Sequence, residues 1–115
     1  MKLNDFKEIK AGWCNGDGSS FDEKEINWLS KKMHEFYPST LKQPCYCPTP
    51  EGNIVIEWEF ADECITLEIN LLTHSGYWNQ VSYMTSECSE NDLDLEISDD
   101  WIWLVQQIKN KSEAC

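Results

Sequence analysis

A chain of 115 residues that is 41% hydrophobic and 12% aromatic is long enough to bury a core without staples and too aromatic for a disordered tail, even at a net charge of −12. The charge is concentrated: the 66 residues from Gln43 to Ile108 hold thirteen carboxylates and neither Lys nor Arg. All nine basic residues are Lys, so the chain repels nucleic acid and anionic membranes and has no guanidinium with which to grip a phosphate or carboxylate ligand.

In the N-terminal segment, residues 1–20, Leu3, Phe6 and Ile9 recur at a spacing of three, which places them on one helical face. A glycine-punctuated loop follows from Gly12 to Ser20, its Asn-Gly and Asp-Gly pairs suited to tight turns. Asn15, Asp17 and Ser19 have the one, three and five spacing of a calcium loop. Ile26 occupies the twelfth position, where a bidentate Glu is required, so calcium is not expected. Ser20 and Glu23 form a capping box, and Ile26, Leu29, Met33 and Phe36 predict a helix over 21–37 that Pro38 ends. Trp28 falls off that stripe.

Three prolines from Pro44 to Pro50 make the Cys45-Tyr46-Cys47 segment extended or an edge, and Glu51-Gly52-Asn53 a turn. The period then changes to two. Ile54, Ile56, Trp58 and Phe60 alternate with Val55, Glu57 and Glu59, and Ile65, Leu67, Ile69 and Leu71 alternate with Cys64, Thr66, Glu68 and Asn70. The short link at Ala61-Asp62-Glu63 makes these two strands a hairpin. After a turn at His74-Ser75-Gly76, a third strand from Tyr77 to Met84 is expected to bury Tyr77, Val81 and Tyr83. A fourth sets Leu93, Leu95 and Ile97 against Asp94 and Glu96. Ser98 or Asp99 caps a closing helix over 99–110 with Trp101, Leu104, Val105 and Ile108 inward.

The expected fold is therefore one α+β domain over 1–115: an antiparallel sheet of about four strands at 44–97, with an N-terminal and a C-terminal helix packed on one face. The strand period assigns Glu57, Glu59, Glu68, Asp94 and Glu96 to the opposite face, with Trp78 among them as an aromatic anchor. A face kept merely wet usually mixes both signs of charge. A single-sign field costs self-repulsion and serves to steer a partner.

The motifs Gly12-Trp13-Cys14-Asn15-Gly16-Asp17-Gly18, Pro48-Thr49-Pro50-Glu51-Gly52 with Glu57-Trp58, Leu93-Asp94-Leu95 and Trp101-Ile102-Trp103-Leu104 resemble a family of small bacterial proteins without an established activity. The resemblance covers nearly the whole chain. The family's motifs read Gly-Trp-x-Asp-Gly-x-Gly and Tyr-Pro-Thr-Pro-x-Gly-Gly, from which this chain departs by Asn15, Cys47 and Asn53. It implies a compact domain of bacterial or phage origin and supplies no catalytic residues.

Cys45 and Cys47 with a third thiol and His34 or His74 fall short of the paired spacings of structural zinc, so neither metal nor cofactor is expected. No nucleophile elbow, phosphate loop or redox cysteine pair is present, and the chain reads as non-enzymatic. With no apolar run of signal-peptide or membrane-span length, a cytoplasmic location and free thiols are expected. The expected partner is a basic, nucleic-acid-handling protein, bound by the acidic face, rather than nucleic acid or a membrane. A structural or adaptor role through apolar surface, or an enzyme of unrecognised type, is the alternative.

Overall fold

The computed structural model describes residues 3–9, 12 and 21–113. Most of the glycine loop, with Asn15, Asp17, Ser19 and the Ser20 cap, lies outside the described residues, as do Cys14 and Cys115. A 3-10 helix at Leu3–Glu8 precedes α1 (Glu23–Phe36), five strands β1 (Cys45–Pro48), β2 (Ile54–Glu59), β3 (Glu63–Asn70), β4 (Ser75–Ser82) and β5 (Cys88–Asp94), and α2 (Ser98–Glu113). The strands form one antiparallel meander in the order β1-β2-β3-β4-β5. The architecture is α+β as expected, with five strands instead of about four. The extra strand is the proline-flanked Cys45–Pro48 segment, which pairs with β2 as a sheet edge, where proline is tolerated.

Helix α1 is capped by Asp22 and not by the expected Ser20: it starts at Glu23, and the Asp22 carboxylate accepts the Lys24 N–H at 2.9 Å, while Glu23 and Glu25 favour its positive end. Ile26, Leu29 and Met33 are buried, and Phe36 stacks on Trp101 of α2 with centroids 5.8 Å apart. Phe6 is fully buried and meets Phe21 edge-on at 5.2 Å, so the short N-terminal helix plugs the end of the same core. Helix α2 contributes Trp101, Leu104 and Ile108.

Both helices cover one sheet face. Onto it point Ile54, Ile56 and Trp58 of β2, Ile65, Leu67 and Ile69 of β3, Trp78 of β4 and Leu93 of β5. Among the described residues three indoles with polar N–H groups are fully buried, and two of these donors have identified acceptors. Trp58 Nε1 donates to Tyr37 Oη at 3.0 Å, and Tyr37 Oη donates onward to the Lys42 carbonyl. Trp101 Nε1 donates to the Leu95 carbonyl at 2.7 Å. Tyr37, Trp58, Trp78 and Trp103 follow one another through the core with centroid separations of 6.2, 6.0 and 5.2 Å.

Two expectations about side-chain direction are corrected. Strand β4 begins at Ser75, not Tyr77, because the hairpin turn occupies 71–74: the Asn70 carboxamide oxygen accepts the N–H groups of Leu72 and Thr73, and the Asn70 carbonyl accepts that of His74. His74 takes a left-handed φ of 58° to complete the turn. Trp78 then pairs with Leu67 and points into the core at 1% exposure, while Tyr77 is 42% exposed on the other side. A one-residue shift inverts every side chain of a strand, which is what separates this register from the expected burial of Tyr77, Val81 and Tyr83. Strand β5, in turn, runs from Cys88 to Asp94. Leu95 and Glu96 form a turn instead of extending the strand, because the Asp94 N–H is taken by the Asp100 carboxylate at 2.7 Å and α2 starts at Ser98.

Gly76 occupies a core-facing position opposite Ile69 where an added Cβ would come within 2.9 Å of Leu67 Cδ1 and 3.2 Å of Leu95 Cδ1. Both leucines are fully buried, so a larger residue must displace packed atoms. Gly76→Val should destabilise the chain by about 1–3 kcal/mol, read as a lower urea midpoint with an unchanged m-value.

Candidate functional site: the open sheet face

The face that the helices leave open is built of cross-strand rows. One row runs Cys45, Glu57, Thr66, Asn79, Glu90; the next runs Cys47, Val55, Glu68, Tyr77, Asp92; beyond the first lie Glu59, Cys64, Val81 and Cys88. Strict alternation with the core residues places all of these on the same side. None of the five strands contains a Lys or Arg.

Glu57, Glu59 and Glu68 stand on this face as expected. Asp94 lies at its rim, where its Oδ1 accepts the Glu96 N–H at 3.1 Å and shapes the turn into α2. Two expected members lie elsewhere. Trp78 is a core residue and offers no surface anchor. Glu96 follows the strand, and its Oε1 meets His74 Nδ1 at 3.0 Å. In their place the geometry brings in Glu90 and Asp92 of β5. The signal for them was present as alternation of Glu90, Asp92 and Asp94 with Ser89, Asn91 and Leu93, but without apolar residues at most of the inward positions it did not read as a strand.

The acids on this face hold neutral donors. Asn53 Nδ2 donates to Glu68 Oε2 at 3.0 Å and Tyr83 Oη donates to Glu59, while the Tyr77 phenol lies beside the Glu90 carboxylate. Glu90, with lesser help from desolvation and neighbouring acids, pushes the Tyr77 phenol up to about 12; Glu59 raises that of Tyr83 in the same way. The cation nearest the carboxylates at one end of the sheet is Lys111, and it is committed to Asp62 at 2.6 Å and to Glu63 at 3.6 Å. That pairing lowers the Asp62 pKa and raises that of Lys111, chiefly through the direct hydrogen bond. Glu63, the buried carboxylate on the core side, also accepts from Gln80 Nε2 at 2.8 Å.

Glu57, Glu59 and Cys64 place one potential metal-ligand atom each within 4.8 Å of one another. This is a different grouping from the Cys45, Cys47 and histidine set considered in the sequence. Desolvation, then the neighbouring Glu59 and Glu57, push the Cys64 thiol up to about 11, so at neutral pH it is a thiol and a poor nucleophile. Cys45, Cys47 and Cys88 are exposed, and all four described cysteines are unpaired. His74 lies at the far end of the sheet, stacked on Trp28 at 3.7 Å with Nε2 bonded to Glu25 and Nδ1 to Glu96. Both ring nitrogens are therefore engaged in clamping α1 to the turns, which explains why Trp28 leaves the apolar stripe. His34 is exposed on α1.

Among the described residues no helix is long and apolar enough to cross a membrane. No family model, curated protein or solved structure matches the chain.

Two titrations check the electrostatics of the face. A tyrosine whose folded pKa is raised above its unfolded value of 10.0 stabilises the fold fully below pH 10, and this contribution is lost as pH rises through the folded value, for Tyr77 about 12. Tyrosinate absorbance should thus appear only above about pH 11, and Glu90→Gln should return one tyrosine towards 10. In peptide-mapped alkylation at pH 8, Cys64 should react about two orders of magnitude more slowly than an unperturbed thiol; reaction at an ordinary rate would contradict the environment described for it.

Proposed function

We propose that this chain is an acidic, non-enzymatic binding protein whose open sheet face inhibits or masks a basic, nucleic-acid-handling protein, in the manner of an inhibitor, an antitoxin or a phage anti-defence protein of the anti-CRISPR type. The observation that carries this reading is a five-stranded sheet with one face buried under two helices and the other bearing Glu57, Glu59, Glu68, Glu90 and Asp92 without one strand lysine or arginine. The mechanism is substitution: these carboxylates occupy Lys and Arg side chains that otherwise hold phosphates. Each exposed pair is worth only about 0–1 kcal/mol, so the effect comes from several acting together and from faster encounter in a single-sign field.

The unpaired, exposed thiols support a reducing compartment such as the cytoplasm. An adaptor that binds through apolar surface has less support. The most exposed apolar side chains, Leu72 and Met84, flank opposite ends of β4 and form no common patch.

The test is affinity capture from bacterial lysate with elution along a salt gradient, run beside a variant neutralised at Glu57, Glu59, Glu68, Glu90 and Asp92 to the corresponding amides. The wild-type chain should capture a basic nucleic-acid-binding protein released only at raised salt, and should displace that protein from its DNA or RNA. The neutralised variant should capture none of it. Equal capture by both forms, or capture of neutral partners insensitive to salt, overturns the reading.

A further inference from the structure

The open face is not uniform, and a concave part of it has the chemistry of a cation clamp. Glu68, Tyr77 and Asp92 are direct neighbours across β3, β4 and β5. They border a depression of about 510 Å³ whose far wall is formed by Asn53, Asn70 and Ser75. Tyr77 lies between the two acids, is 42% exposed, and has the Glu90 carboxylate beside its phenol. A partly exposed aromatic side chain flanked by two carboxylates attracts a planar cation.

Resting on the binding-face reading above, we infer that the partner enters this depression with an arginine side chain, its guanidinium stacked on Tyr77 and hydrogen-bonded to the Glu68 and Asp92 carboxylates. Arginine fits better than lysine for three reasons. The guanidinium is flat and stacks on a ring; its forked donors match a carboxylate in pairs; and it sheds water more readily than an ammonium. Asn53 leaves Glu68 one oxygen without its amide, and among the described residues no side chain donates to Asp92. Tyr83, by contrast, stands past the end of β4 with its hydroxyl bonded to Glu59. A second copy of this chain is a poor occupant, since it has no arginine and would bring carboxylates to carboxylates.

The probes are nona-arginine and nona-lysine peptides of equal charge, titrated calorimetrically into the full chain at matched ionic strength. Nona-arginine should bind roughly tenfold more tightly. Tyr77→Thr, which retains a strand-favouring residue, should bring nona-arginine down to the nona-lysine level, and so should Glu68→Gln with Asp92→Asn. Two controls, Tyr83→Thr and Glu57→Gln with Glu59→Gln, should keep the preference; the second removes the same charge from the other end of the face. Far-UV circular dichroism confirms that each variant is folded. Salt-sensitive binding of both peptides without an arginine preference, or a preference that survives the loss of Tyr77, overturns the clamp and leaves the acidic-face reading standing. If neither peptide binds, both fail.

Discussion

The hydrogen bonds that Asn70 makes across the β3–β4 turn set the parity of the sheet. Its carboxamide oxygen gathers two backbone N–H groups and its carbonyl a third, so the chain reverses over 71–74 and Ser75 returns opposite Asn70. From that pairing the sides of β4 follow. Trp78 enters the core between Trp58 and Trp103, Gly76 makes room for Leu67 and Leu95, and Tyr77 turns outward between Glu68 and Asp92. A turn displaced by one residue would put an indole in solvent, a phenol in the core and no aromatic among the surface acids. The same few bonds thus organise both the packed face and the charged one.

The two faces divide the chemistry of the chain between them. The buried side is rich in aromatic rings whose polar edges are satisfied where they are enclosed, as in the relay from Trp58 through Tyr37 to the Lys42 carbonyl. On the open side Glu68 and Glu59 accept from an amide and a phenol, which hold them in position without cancelling their charge. Lysines are carried by the helical layer and the segments before β1, and Lys111 is drawn to Asp62 and Glu63 at the sheet's end. The result is a molecule with a marked charge asymmetry, and a cationic surface approaching it meets the sheet first.

Much of this was legible in the sequence wherever apolar periodicity was strong. Ile26, Leu29 and Met33 marked the inner side of α1; Ile54 to Trp58 and Ile65 to Ile69 marked β2 and β3; Trp101, Leu104 and Ile108 marked α2. Where periodicity faded, so did the reading. Strand β1 is short and flanked by prolines, and its strand character comes from pairing with β2 more than from its own residues. Strand β5 is polar on both sides along most of its length because the helices do not reach over it, so Glu90 and Asp92 resembled a loop. The parity of β4 was decided by the Asn70 turn, whereas Gly76 suggested a turn two residues further on. Of the acidic face, Glu57, Glu59 and Glu68 were read correctly for position. Trp78 and Glu96 were displaced by that parity and by the early end of β5.

Strand β5 also closes the sheet with an uncovered seven-residue edge, longer than the four-residue edge at β1 and without proline. Such an edge is a template for fibrillar stacking between identical molecules. Two copies joined along it would bring Glu90, Asp92 and Asp94 of one against the same row of the other, so the anions act as gatekeepers of colloidal stability at neutral pH. That guard depends on ionisation. Near the isoelectric point of about 4.4 the chain as a whole loses its net repulsion while the peptide groups of the edge keep their pairing capacity, so mild acid is the condition that favours its ordered aggregation.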